Sequence, residues 1–198
     1  MKWFLILLFT VGLCGQTIQQ RHLSVIKKRV AAGGGCTVLQ YTTDKDDNGN
    51  YHLGYGYTYL ASAITTVGAF TPCSLSVIGE EYGTCPAQVW NAQIWTESEG
   101  EPDAQVGSSE SNNIDPTLFP SSDTSAIGVD WTSAPTLSAT TNYFIVFVSS
   151  NTDGDFTNHA EIVKSDNETI EGIFSSTDGS TWIEIDVTAA LAVELFSE

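Results

Sequence analysis

The six residues Tyr143–Val148, YFIVFV, are apolar without a break. A run this short is the length of a strand rather than of a buried helix. Its branched and aromatic content makes it a central strand buried on both faces. Such a strand needs partners on either side, and the sequence supplies them. TVLQYTT, YHLGYGYTYLA, SLSVIG, AQVWNAQIWTE and AIGVDW precede it; EIVKS, TIEGIF, TWIEIDV and LAVELF follow. Gly, Pro, Asp and Asn clusters separate these segments, and Ile183 and Ile185 alternate with Glu184 and Asp186. No segment after residue 35 carries a long helical period with caps. About ten short strands over residues 36–198 predict an all-β, jelly-roll-like antiparallel β-sandwich in one domain.

The N-terminus has a different character. Lys2 is followed by an apolar run from Trp3 to Leu13 and then by small residues. Eleven positions cannot span a bilayer core, which needs about 20 helical residues. The pattern is that of a secretory signal over residues 1–15, with cleavage in the region of Cys14, Gly15 and Gln16. A lipoprotein signal acylated at Cys14 is the competing reading, and bulky Leu13 argues against it. Residues 16–35 form a basic arm closed by the Gly33–Gly35 joint.

Charge divides the chain at the same place. Residues 30–198 hold two lysines, Lys45 and Lys164, against 24 acids, a formal charge of −22. Phosphates would be repelled by such a body, which excludes nucleic acid as its partner. A cationic arm on an anionic body suits self-association through residues 16–35, with a disordered leader as the alternative. Cys36, Cys73 and Cys85 follow the signal. A Cys73–Cys85 disulfide is expected across the twelve-residue spacing, with Cys36 left over; an intermolecular bridge at Cys36, or its pairing with Cys73 or Cys85, is the alternative.

Three acidic loops resemble cation sites. DKDDNGN places Asp44, Asp46 and Asn48 like the first half of an EF-hand loop, making Ca2+ the candidate cofactor. The second half fails, because His52 and Tyr55 stand where later ligands belong, and Asn48-Gly49 between strands reads as a hairpin tip. TESEGEPD and NTDGD are turns with oxygen donors. Tyr55, Tyr57 and Tyr59 fall on one face at period two and are candidate ligand-binding residues, a glycan-stacking ladder. Trp90, Trp95, Trp131 and Trp182 are further candidates for such a platform, against the commoner role of strand aromatics in a core. His52 and His159 lie far apart and in no HxH or HExxH spacing. The chain has no GxSxG, GxxxxGK[ST] or GxGxxG motif, so it is read as not an enzyme.

The segments SLSVIGEE…AQVWNAQIWTESEGEPDAQVGSS, TSAPTLSATTNYFIVFVSS and SSTDGSTWIEIDVTAALAVELF together resemble choice-of-anchor and carbohydrate-binding-like jelly-roll modules. Such modules recur in secreted bacterial proteins and phage virion proteins. The likeness spans roughly residues 60–198; SATTNYF lacks the glycine that usually precedes the aromatic. It implies a secreted or cell-surface location, or a virion one, and a non-catalytic module for adhesion or surface structure that binds a glycan or a surface protein. The alternatives are a self-assembling structural subunit and, last, a polysaccharide-active enzyme. No membrane span is expected in the mature chain.

Overall fold

A computed structural model describes residues 36–43, 49–121, 124–131, 133–155, 157–165 and 172–198. The signal region with Cys14, Gly15 and Gln16, the basic arm, and Asp44, Asp46 and Asn48 lie outside the described residues.

Two antiparallel sheets, of seven and six strands, form a β-sandwich. The six-stranded sheet is built around β8 (Asn142–Ser149), the strand that contains YFIVFV. β3 (Tyr59–Thr65) and β5 (Trp90–Ser98) pair with it on its two sides. β10 (Ile173–Ser176) and the edge strand β11 (Ile183–Asp186) follow β3, and β6 (Glu101–Glu110) follows β5. As expected, β8 is covered on both faces. Ile145 and Phe147 enter the main core between the sheets, and Phe144 and Val146 belong to a smaller cluster on the sheet's outer face. Full burial of each such side chain contributes about 1.5–3 kcal/mol.

In the seven-stranded sheet β1 (Val38–Thr42), β13 (Val193–Ser197), β4 (Ser74–Tyr82), β9 (His159–Ser165) and β12 (Ala190–Leu191) lie in that order. β2 (Asn50–Leu53) pairs with β9, and β7 (Ser125–Asp130) with β4. No helix among the described residues is long and apolar enough to cross a membrane.

Thirteen strands form among the described residues, where about ten are expected. YHLGYGYTYLA becomes two, because Gly54 (φ +79°) and Gly56 (φ +77°) take the left-handed conformation and end the extended run. LAVELF divides where the chain leaves β9 for β4 and β1. β6 escapes a pattern-based reading because it is a mostly exposed, polar edge strand. Its hairpin with β5 turns on Glu99 (φ +54°) and Gly100 (φ +88°), the two positive φ values a type I′ turn requires. The alternation in β11 is also only half realised. Ile185 packs on the core, whereas Ile183 stands 62% exposed at the edge.

The disulfide joins Cys36 to Cys73 and not Cys73 to Cys85, which corrects the expected pairing. Cys36 and Cys73 precede β1 and β4, the two neighbours of β13, and both approach its C-terminal end. Thr37 N–H donates to the Ser197 carbonyl and Cys73 N–H to that of Phe196. Their Cα atoms lie 5.8 Å apart, within bridging range. Cys85 follows the far end of β4, whose nine residues extend about 30 Å. It is a buried free thiol.

Candidate functional site

Two surfaces carry chemistry, one on the outer face of each sheet. On the six-stranded sheet, strand alternation aims Tyr59, Trp95 and Val148 outward, over Ala61, Ala63, Phe144, Val146 and Phe174. Trp182 joins them from the β10–β11 hairpin. That hairpin is held by Asp178, whose Oδ1 accepts from Ser180 N–H and Thr181 N–H, each at 2.8 Å. These bonds stabilise the carboxylate and hold Asp178 well below the usual carboxylate range. Gly179 (φ +70°) lies so close to the Tyr59 ring that a Cβ would stand 3.0 Å from Cζ.

The indole of Trp182 is fixed from two sides. It meets Trp95 edge-to-face at 5.7 Å and Tyr59 at 6.1 Å. Trp95 is itself anchored by donating its indole N–H to Gln93 Oε1 at 2.9 Å. Beside this half-buried aromatic group lies a pocket of about 310 Å³, lined by Trp182, Ser180, Ser98, Glu99, Glu101, Pro102 and Asp103. The acidic TESEGEPD turn is thus brought against the Asp-Gly-x-x-Trp hairpin.

The tyrosine ladder does not form. Gly54 turns the chain just before Tyr55 and Gly56 turns it between Tyr55 and Tyr57, so the three rings go to different places. Tyr55 stacks on His159, Tyr57 packs against the main core, and Tyr59 reaches the outer aromatic cluster. Trp90 and Trp131 are core residues, leaving Trp95 and Trp182 as surface indoles.

The outer face of the seven-stranded sheet holds the second surface. On β9, Ala160 and Ile162 point into the core, so His159 and Glu161 share the opposite face. Register places Glu161 between His52 of β2 and Glu80 of β4, and Tyr82 opposite His159. Two carboxylates directly opposed across a strand pair repel each other. The Asn50 amide bridges this pair, donating to Glu80 Oε1 and, at 2.7 Å, to Glu161 Oε2.

His159 is 2% exposed, with its imidazole between the rings of Tyr55 (5.6 Å) and Tyr82 (5.3 Å). Its Nδ1 lies 2.8 Å from the Asp155 carbonyl and its Nε2 lies 2.7 Å from Glu161 Oε1. His52 Nδ1 faces the same oxygen at 2.9 Å. That contact is close but poorly aligned, and among the described residues the buried nitrogen has no hydrogen-bond partner. Burial of Glu161 disfavours its charge, but the contacts from His52, His159 and Asn50 outweigh this and hold its carboxyl down at about 2.

The wall of this cluster is a rigid turn. Asp155 Oδ1 accepts from Thr157 N–H and Thr157 Oγ1, each at 2.7 Å, and from Asn158 Nδ2 at 3.1 Å. Those bonds lower the Asp155 carboxyl pKa, the Thr157 hydroxyl foremost. Gly154 N–H donates to the Gly54 carbonyl at 3.0 Å, tying the turn to the loop that carries Tyr55.

Sequence spacing alone does not single out His52, His159 and Glu161 as a group. The usable signal is His159-x-Glu161 inside a strand, because period two places both side chains on one face. No protein-family model matches the chain, and no curated protein matches it.

Proposed function

We propose that the chain is an exported, non-catalytic β-sandwich module for adhesion or surface structure, which binds neutral glycans through the outer face of its six-stranded sheet. The observation that carries this reading is the half-buried Trp182 indole, held edge-on by Trp95 and Tyr59 at the rim of a pocket lined by hydroxyl and carboxylate groups. A fixed aromatic surface offers stacking area at little entropic cost, and the oxygens beside it accept hydrogen bonds from sugar hydroxyls. Glu99, Glu101 and Asp103 at the pocket, on a body of formal charge −22, disfavour polyanionic polysaccharides. The signal-like N-terminus and the Cys36–Cys73 bridge support export to an oxidising compartment.

Affinity electrophoresis through gels containing neutral or polyanionic polysaccharides tests the reading. Retardation by a neutral glycan that is lost in Trp182→Ala is the expected result. Unhindered migration in every gel would remove its basis.

Self-assembly is the second reading, favoured by the edge strand β1, where Val38 and Leu39 are 47% and 46% exposed. Unpaired edges with apolar side chains invite pairing with another copy. Light scattering on wild-type protein, on protein without residues 16–35 and on Leu39→Lys tests it: an arm-driven assembly disperses on truncation, an assembly through the β1 edge disperses in Leu39→Lys, and a monomer in all three contradicts the reading.

A further inference from the structure

The His52–His159–Glu161 cluster is polar, largely buried and unrelated to the aromatic face, which lies on the other sheet. Its hydrogen-bond polarity does not close. A carbonyl can only accept, so the 2.8 Å contact to Asp155 O places a proton on His159 Nδ1. In the neutral imidazole the lone pair is then on Nε2, aimed at Glu161 Oε1 from 2.7 Å. His52 Nδ1 converges on that same oxygen without hydrogen-bond alignment. Two ring nitrogens and a carboxylate oxygen therefore meet around one point and call for a shared cation.

We infer that His52 Nδ1, His159 Nε2 and a Glu161 oxygen bind a divalent transition-metal ion, zinc by their donor set. The three donor atoms lie within 4.8 Å of one another, the separation that ligands around one ion require. Two imidazoles and one carboxylate suit zinc, with a fourth position left for water or an outside ligand. Calcium and magnesium prefer all-oxygen sets. The surroundings are those of a built site. The Asp155 carbonyl fixes the His159 tautomer, as outer partners of ligating histidines do, and the Asn50 amide orients the carboxylate. Tyr55 and Tyr82 hold the His159 ring in place from both sides. The competing arrangement is a proton in place of the metal, an imidazolium paired with Glu161.

The test is isothermal titration of tag-free, chelator-treated protein with zinc, cobalt, calcium and magnesium at pH 7.5, with the visible spectrum of the cobalt form. Zinc is expected to bind one-to-one at micromolar affinity or tighter, and cobalt to give the intense bands of a tetrahedral site. His52→Ala and Glu161→Gln should each weaken zinc at least tenfold. His159 is buried deeply enough that its removal can unfold the protein, so these two variants, checked for native circular dichroism, carry the decision. Absence of zinc uptake, an equal response to calcium, or binding unchanged in both variants overturns the assignment.

Discussion

Replacing Cys36 with serine cuts the covalent tie between the strands that flank β13. The bridge closes a loop with a sequence separation of 37. Cross-linking a loop of that length removes about 13 cal/mol/K of entropy from the unfolded chain, or ~4 kcal/mol at 25 °C. With a urea m-value of about 2 kcal/mol/M, the unfolding midpoint should fall by about 2 M. The slope should rise slightly, because the unfolded chain expands once the cross-link is gone. Among the described residues β1 is a sheet edge paired with β13 alone, so it should lose amide protection first. Urea unfolding followed by tryptophan fluorescence measures the midpoint, and Cys36→Ser/Cys73→Ser should match the single variant. Cys85→Ala separates the two possible pairings, since it leaves this bridge intact and should cost only about 1 kcal/mol for the lost thiol. Cys36→Ser within about 1 kcal/mol of the wild type, or Cys85→Ala losing as much as Cys36→Ser, would rule out a stabilising Cys36–Cys73 bridge.

Further predictions concern the thiol and the turn beside the histidines. Burial pushes the Cys85 thiol up to about 11, helped by the negative charges of Glu81 and Asp115. At pH 8 roughly one molecule in a thousand carries the thiolate, so alkylation should be slow and should rise tenfold per pH unit toward 11. Peptide-mapped labelling with iodoacetamide checks this, and fast labelling of native protein at pH 8 would contradict it. Gly83 (φ +70°) packs so tightly that a Cβ would stand 1.9 Å from the Thr157 carbonyl oxygen. Gly83→Ala should therefore cost more than about 2 kcal/mol in urea unfolding. It should also weaken zinc binding, because the displaced turn carries the Asp155 carbonyl that orients His159.

Much of the sandwich is legible in the sequence because burial leaves a local pattern. YFIVFV announces a strand covered on both faces, and β8 lies between β3 and β5 with both faces buried. β6 is illegible for the converse reason, since a solvated edge strand has little apolar pattern to show. The disulfide depends on which strands neighbour β13, a non-local fact that cysteine spacing does not encode. The histidine cluster is harder still. His52 and Glu161 meet only through the register of β2 on β9, and a slip of one residue would separate them. Trp95 and Trp182 are visible as aromatics, but only the sheet decides that they lie outside while Trp90 and Trp131 lie within.

A glycan bound on the outer face of the six-stranded sheet would register in the indole N–H resonances of Trp90, Trp95, Trp131 and Trp182. The measurement is a ¹H–¹⁵N titration with an oligosaccharide of the retained neutral glycan. Saturable shifts are expected for Trp95 and Trp182, with Trp90 and Trp131 unmoved. Shifts that leave Trp95 and Trp182 in place, or no shift at saturating sugar, would contradict it.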